Sequence, residues 1–161
     1  MTSDADQIRN LVFRYAELID AGRLDEVGAL FAHATVDWGG HVTEGAEAVA
    51  AQLRATTRLH DDGTPRTAHL VTNVIVEVGL DGDADRAVAR SRYCVVQATE
   101  VLPLAPIVVG RYTDAFARVD GAWRFAARRY HVDLLGDLSQ HLPADLVAML
   151  EARDRDDQTG R

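Results

Sequence analysis

The hydrophobic pattern of the chain changes its period at Thr67, and this change constrains the fold more than any other feature. Before Thr67, apolar residues recur every three or four positions, which is typical of one side of an α-helix. After Thr67 they recur at every second position, which is typical of β-strands. The chain has 161 residues, and one domain usually holds about 100–200. We therefore expect a single α+β domain, with helices first and a sheet second.

The first part of the chain predicts helices and one short strand. Asp4, with Gln7 three residues on at the spacing of a capping box, is the expected cap of the first helix, and Gly22 ends this helix. A second helix is expected at residues 24–31, where the apolar residues fall on one stripe. Thr43 is the expected cap of a third helix that extends to about residue 59, and residues 35–38 alternate like a short strand.

The second part predicts four long strands, at residues 67–78, 86–98, 107–119 and 122–132. Asp120-Gly121 separates the last two and is typical of a tight hairpin turn. Such strands exceed the usual length of about five or six residues, and long strands in a twisted sheet curve. We therefore expect a sheet that bends around the helices.

The strand at residues 67–78 carries apolar residues on both of its predicted faces. Helices can cover one face, and a second subunit is the simplest cover for the other. The pattern therefore predicts a homo-oligomer, most simply a dimer.

Composition excludes several classes of partner. A formal net charge of −8 opposes nucleic-acid binding. The acidic start lacks the pattern of an export signal, and no run approaches the roughly 18 apolar residues of a membrane span. Cys94 is the only cysteine, which excludes an intrachain disulfide and favours a reducing compartment. We expect a cytoplasmic protein that binds neither nucleic acid nor membrane.

A few polar residues lie on otherwise apolar, inward-facing positions. Tyr15 and Asp20 are on the first helix, His69 begins the first long strand, and alternation places Arg129 and His131 on the inner face of the last strand unless a bulge intervenes. A buried carboxylate requires a partner. Asp20 and His69 could form a dyad in which the carboxylate fixes the imidazole tautomer and leaves the other nitrogen as a base. No signature of a nucleotide or zinc site is present.

Five segments together carry a resemblance to a known family. They are, in order, Tyr15-x4-Asp20-x-Gly22, residues 24–31, Thr67-x-His69-x3-Asn73, Gly110-x-Tyr112-x-Asp114-x-Phe116 and Asp120-Gly121-x-Trp123-Arg124-Phe125. From about residue 6 to residue 142, the chain resembles the SnoaL-like branch of the nuclear transport factor 2-like superfamily.

The resemblance implies a fold and a domain layout. The fold would be a cone-shaped α+β barrel, in which a strongly curved mixed sheet wraps around N-terminal helices and encloses an apolar pocket. Residues 1–161 would form one domain, with the barrel at about 6–142, a C-terminal helix at 143–152 and a flexible tail at 153–161.

The resemblance also implies an activity. Scytalone dehydratase, bile-acid 7α-dehydratase and hexachlorocyclohexane dehydrochlorinase types are lyases that use no cofactor or metal. By analogy His69 would be the base, Asp20 would orient it, and Tyr15 and Arg129 would contact the leaving group. The residues expected to contact substrate are Trp38, Asn73, Tyr93, Tyr112, Phe125 and His131. The substrate would be a small, mostly apolar hydroxy or keto compound, polyketide- or steroid-like.

Several alternatives stay open at this point. An isomerase begins with the same proton abstraction as a dehydratase. A binding module would use the pocket without the dyad, and a polyketide cyclase shares the superfamily. An epoxide hydrolase would need two carboxylates beside an arginine, for which Asp20 and Asp114 are conceivable. His141, before the last helix, is expected either to close the pocket or to face solvent.

Overall fold

A computed structural model describes residues 2–148 of the chain. The helices are α1 (Asp4–Asp20), α2 (Leu24–Leu30) and α3 (Gly45–Thr56), and residues 144–148 are also helical. The strands are β1 (Thr35–Asp37), β2 (Val42–Glu44), β3 (Thr67–Leu80), β4 (Asp83–Gln97), β5 (Ala105–Val119) and β6 (Ala122–Leu135). The remainder of the expected C-terminal helix and the expected tail at 153–161 lie outside the described residues.

The six strands form one curved sheet in the order β2-β1-β6-β5-β4-β3. The four long strands are antiparallel neighbours, whereas β1 runs parallel to β6, so the sheet is mixed. The sheet does not close, because β2 and β3 are its two edges. Helix α1 packs against β3 and β6 on the inner side. The predicted α+β class with a curved sheet around N-terminal helices is confirmed.

The turn between β5 and β6 is the predicted Asp120-Gly121 pair. Both residues have positive φ, 50° for Asp120 and 78° for Gly121, as a tight hairpin of this kind requires. The turn leads directly into the antiparallel β5–β6 pairing. This prediction is confirmed.

Two helix starts differ from the prediction. Ser3, not Asp4, caps α1, since its hydroxyl accepts a hydrogen bond from the backbone N–H of Asp6. Thr43 caps no helix because it belongs to β2, a strand that the sequence pattern did not indicate. Its hydroxyl instead accepts a hydrogen bond of 2.9 Å from the indole N–H of Trp38. Helix α3 begins two residues later, at Gly45.

A bulge at Asn73 reverses the alternation of β3. The register against β4 shifts between Thr72 and Ile75, and Asn73 has a φ of 53°. A strand with one extra residue turns its following side chains to the opposite face. Val71 and Val76 therefore both pack against the core although they are five positions apart, a spacing that strict alternation would put on opposite faces. The expectation that strict alternation assigns the two faces of β3 is wrong.

The outer face of the sheet remains partly apolar. Leu70 and Leu134 are exposed, and strand register places them in one row with Cys94 and Val109. The expected second subunit would cover such a row, and the homo-oligomer stays a prediction. None of the described helices is long and apolar enough to cross a membrane.

Candidate active site

The Asp20 carboxylate and the His69 imidazole meet where the end of α1 touches the start of β3. Asp20 Oδ1 lies 2.6 Å from His69 Nδ1, and Asp20 Oδ2 accepts a 2.7 Å hydrogen bond from the His69 backbone N–H. The Thr67 hydroxyl donates to Oδ1 at 2.7 Å. Because α1 ends at Asp20, its side chain projects past the last turn toward β3. Three donors from one strand hold this carboxylate.

These contacts fix the charge of Asp20 and the tautomer of His69. Burial alone favours the neutral form of the carboxyl, but the hydrogen bonds from His69 and Thr67 outweigh it and hold the pKa of Asp20 below its ordinary value. The ionised carboxylate can only accept, so Nδ1 of the neutral His69 ring carries the proton. His69 Nε2 is left with a free lone pair. The His69 side chain is only 7% exposed.

His69 forms part of the wall of a cavity of about 290 Å³. Aromatic side chains from four elements and the β1–β2 turn form a large part of its inner surface: Tyr15, Trp38, Tyr93, Tyr112 and Tyr130. Aliphatic residues of β5, β6 and the following segment, Val108, Val132, Leu135 and Leu138, complete the lining toward the end of the sheet. The cavity is therefore largely apolar, and its polar groups are phenols, imidazoles and the side chains of Gln52, Thr56 and Thr57.

The tyrosines form a connected layer that we call the phenol floor, defined as Tyr15, Tyr112 and Tyr130. The Tyr130 hydroxyl donates to the Tyr15 hydroxyl at 2.9 Å, and the Tyr112 ring packs edge-on against both other rings. Tyr15 also meets His69 edge-on, with 6.0 Å between ring centroids. Burial raises the pKa of all three phenols well above the ordinary value. They are therefore neutral hydrogen-bond donors at physiological pH.

A sealed ion pair lies directly beneath the phenol floor. Arg128 Nε and Nη2 donate to the two oxygens of Asp114, each at 2.7 Å, and both side chains are 0% exposed. The guanidinium carbon lies 4.0 Å from the Tyr112 ring centroid and 4.4 Å from that of Tyr15. Burial opposes the charge, but pairing with Asp114 outweighs it and keeps the pKa of Arg128 above its ordinary value. Arg128 is thus a permanent positive charge under the aromatic layer.

Residues 1–129 match the family model of the SnoaL-like domain. The chain belongs to the SnoaL-like domain family. A search among curated proteins found no match.

Solved structures share the fold of this SnoaL-like domain. A protein of unknown function from Mycobacterium tuberculosis is 28% identical, with a TM-score of 0.64 over 80% of this chain and 76% of that one. A nuclear transport factor 2-like protein with a cystatin-like fold from Novosphingobium aromaticivorans is 22% identical, with a TM-score of 0.65 over 80% and 81%. A candidate scytalone dehydratase from the same organism is 23% identical, with a TM-score of 0.63 over 81% and 84%.

The SnoaL-like domain brings together six of the residues expected from the sequence. Asp20 and His69 are in contact, and the expected residues that line the cavity with His69 are Tyr15, Trp38, Tyr93 and Tyr112. Trp38 stacks on Tyr130 with 4.7 Å between ring centroids, and Tyr93 stacks on Tyr112 at 4.3 Å. Tyr130, which the sequence reading did not select, completes this group.

Arg129 and His131 do not reach the cavity, because β6 has a bulge. Ala127 pairs with Ala115 and Phe125 pairs with Phe116, which leaves Ala126 unpaired. From Arg128 to Val132 the even-numbered residues point inward, so Arg128 replaces Arg129 on the inner face. The Arg129 side chain is 63% exposed and pairs with Asp37, while His131 Nε2 lies 3.3 Å from the Thr113 hydroxyl on the outer side. The expectation for both residues is wrong.

Two further expected contact residues lie elsewhere. Asn73 is exposed at the bulge of β3, outside the cavity. Phe125 does point inward, but it is fully buried between Phe31 and Phe116 at the other end of the sheet. Alternation assigns a residue to a face but does not say which end of a long strand the cavity occupies. Asp114, considered for an epoxide hydrolase, is bound to Arg128 beneath the floor and is not available to a ligand.

His141 is a cavity residue whose position the sequence left open between wall and solvent. It follows β6 in the segment before the last helix, and it lines the cavity together with His69. Burial, reinforced by the neighbouring His69, lowers the pKa of the His141 imidazole to about 4. The ring is therefore neutral at physiological pH.

Proposed function

We propose that this SnoaL-like domain is a cofactor-independent lyase that removes water from a small, mostly apolar hydroxy ketone, or an isomerase that begins with the same proton transfer. The observation that carries the proposal is the 2.6 Å contact between Asp20 and His69 at the wall of an apolar cavity. A carboxylate-held imidazole with a free Nε2 is the arrangement that proton abstraction requires. The candidate scytalone dehydratase among the structures with this fold is consistent with it.

The proposed reaction requires only the substrate and side chains of this protein. His69 Nε2 takes a proton from the carbon next to the substrate carbonyl, and the electron pair of the C–H bond forms an enolate. Asp20 stabilises the resulting imidazolium through Nδ1. The enolate then collapses, the neighbouring C–O bond breaks, and its electron pair leaves with the hydroxyl oxygen. The imidazolium returns its proton to that oxygen, so the products are an unsaturated ketone and water.

The phenol floor would stabilise the negative charge of the enolate. Tyr15 accepts from Tyr130, so its own O–H is free to donate to a ligand oxygen. Arg128, 4.4 Å from the Tyr15 ring centroid, makes the electrostatic potential at the floor more positive. Fixed donors in a site shielded from water stabilise developing charge more strongly than water does. Arg128 therefore takes over, through the floor, the electrostatic role that the resemblance assigned to Arg129.

The size and lining of the cavity favour a compact substrate. About 290 Å³ is at the lower end of the roughly 300–1,000 Å³ that ligand pockets usually enclose. Stacked aromatic walls such as Trp38 and Tyr130 suit a flat ring system. A ligand of one or two rings with a carbonyl and a hydroxyl group fits both features.

The test is the conversion of 3-hydroxy-1-tetralone to 1-naphthol and water, followed by naphthol fluorescence. We expect turnover by the wild-type protein and a loss of about 10²- to 10⁴-fold in kcat for His69→Gln, because general-base catalysis typically contributes that factor. Arg129→Gln, on the outer face, is the matched control and should retain full activity.

Two other outcomes would contradict the dehydratase. Binding of 1-naphthol without any turnover would leave a binding module. Exchange of deuterium at the carbon next to the carbonyl, without loss of water, would favour an isomerase. Turnover that is unchanged in His69→Gln would remove His69 from the mechanism.

We also propose, as the sequence predicted, that a small apolar molecule occupies the cavity of a homodimer. The exposed row that contains Leu70 and Leu134 on the outer sheet face supports the dimer, because such apolar surface favours coverage by a second copy.

A further inference from the structure

The segment that carries His141 is fixed by hydrogen bonds on both sides of this residue. The buried side chain of Gln97 on β4 and the imidazole of His60 both reach the Gln140 carbonyl, each at 3.1 Å. The backbone N–H of Arg58 donates to the His141 carbonyl at 2.8 Å. Contacts from two parts of the chain, β4 and the segment after α3, thus hold the backbone here. A side chain on such a support keeps its direction, as a ligand-binding group must.

The His141 ring itself has an asymmetric environment. Its Nδ1 is buried and has no hydrogen-bond partner within residues 2–148. The ring lines the cavity, so its Nε2 edge is the polar edge that a ligand can reach. A buried N–H without an acceptor is rarer in proteins than an unpaired acceptor. The favoured tautomer therefore has its proton on Nε2, where the ring can donate into the cavity.

Burial, more than the groups around it, keeps this ring neutral, and the Asp20 carboxylate opposes the shift of its pKa. His69 faces it from β3, Asp20 stands behind His69, and His60 approaches from the segment after α3. Burial comes first among the causes that lower the pKa of His141 to about 4, and the two other imidazoles add to it. A neutral ring can serve as donor without competing with His69 for the abstracted proton.

We propose that His141 is a further catalytic residue, whose Nε2–H donates a hydrogen bond to the oxygen that leaves the substrate while His69 acts as the base. This inference rests on the proposed function. The two imidazoles have opposite roles because their Nδ1 atoms have opposite surroundings. Nδ1 of His69 is bound to Asp20, which leaves Nε2 as an acceptor. Nδ1 of His141 has no partner in the described part of the chain, which leaves Nε2–H as a donor.

The tautomers can be tested without a substrate. Long-range ¹H–¹⁵N correlation spectra of the full-length protein near pH 7 distinguish protonated from unprotonated ring nitrogens. We expect His141 to carry its proton on Nε2 and His69 on Nδ1, and His141→Phe assigns the signals. A His141 ring protonated on Nδ1, or on both nitrogens, would overturn the inference whatever the enzyme assay shows.

The role in catalysis is tested with two substrates that differ in the leaving group. With 3-hydroxy-1-tetralone, His141→Phe should lower kcat by about 10- to 100-fold with little change in KM, since a hydrogen bond formed in the transition state is lost. His141→Gln, which keeps a donor, should restore most of it. With 3-chloro-1-tetralone, which yields 1-naphthol and HCl, the loss should be several-fold smaller because chloride needs a donor less.

The outcomes separate this inference from the proposed function. If His69→Gln is inactive and His141→Phe is fully active, the role of His69 as the base is supported and the role of His141 as a donor is refuted. An equal loss with both leaving groups would assign His141 a structural role and also refute it. If the wild-type protein converts neither substrate, the proposed function fails, and the catalytic role of His141 fails with it even where the spectra show the expected tautomer.

Discussion

Two acid–base pairs within residues 2–148 lie beside the same aromatic layer, and they differ in almost every respect. Asp114–Arg128 is 0% exposed on both sides and has a bidentate geometry. Asp20–His69 is partly exposed, is held by Thr67 and a backbone N–H, and leaves one imidazole nitrogen free. An arginine keeps its proton, whereas a histidine can exchange it. The comparison shows how one fold places a fixed charge beneath a site and a movable proton within it.

Removing the fixed charge should have the largest effect on stability. Arg128→Met leaves Asp114 buried without its partner, and breaking a buried pair in this way costs about 3–5 kcal/mol. Arg129→Met is the matched control in the neighbouring position, and its exposed pair with Asp37 is worth at most about 1 kcal/mol. Urea unfolding of the two variants measures the difference. Equal losses of unfolding free energy would show that the buried pair beneath the floor stabilises the protein no more than the exposed pair does.

The residues around the cavity should make the stability of the protein depend on acid. In the unfolded chain His141 has its ordinary pKa of 6.5, whereas burial lowers the pKa of the folded ring to about 4. Between these values the unfolded state holds more protons, so stability falls as the pH falls. The loss from pH 7 to about pH 4 should be on the order of 3 kcal/mol.

The matched comparison for this loss is His141→Phe, unfolded in urea at the same two pH values. Because this variant has no imidazole at position 141, it should lack most of the acid-induced loss of stability that His141 causes. The lowered pKa of Asp20 adds a separate loss only as the pH falls through and below the carboxyl's ordinary value of 3.8. The same acid loss in His141→Phe as in the wild-type protein would contradict the neutral, buried ring.

A smaller effect, on activity, is expected from Thr67, the uncharged residue that binds Asp20. Thr67→Val removes the 2.7 Å hydrogen bond to Asp20 Oδ1, which should raise the pKa of the carboxyl. One hydrogen bond of this kind is worth about 1 kcal/mol, so kcat/KM should fall roughly fivefold. Thr113→Val, on the outer face beside His131, should leave kcat/KM unchanged. If the two variants behave alike, Thr67 does not position the dyad.

The sequence was sufficient for features that depend on one regular element at a time. The change of period at Thr67 located the sheet, and the Asp120-Gly121 turn paired its last two strands. The Asp20–His69 contact was also foreseen, because a polar residue at the end of a helix and one at the start of a buried strand both need partners. These are consequences of local pattern and burial.

The features it missed depend on single irregular positions. Ala126 and Asn73 each add one residue to a strand, and a shift by one residue exchanges its two faces. Nothing in an apolar or polar pattern marks an alanine bulge, so Arg129 was chosen in place of Arg128. His141 was left undecided because long-range contacts to Gln140 and His141, from Gln97 and Arg58 among others, fix its segment, and no periodicity extends across it.

The bulge at Ala126 divides β6 into two halves. Inward-facing residues on the turn side of this alanine pack around Phe125, while those beyond it, such as Tyr130 and Val132, line the cavity. If Ala126 instead paired with Ala115, so that the bulge disappeared, Arg129 and His131 would face inward and Arg128 and Tyr130 would face outward. A relative could therefore acquire a differently charged pocket through a shift of strand register by one residue, with every side chain that forms it already encoded in the sequence.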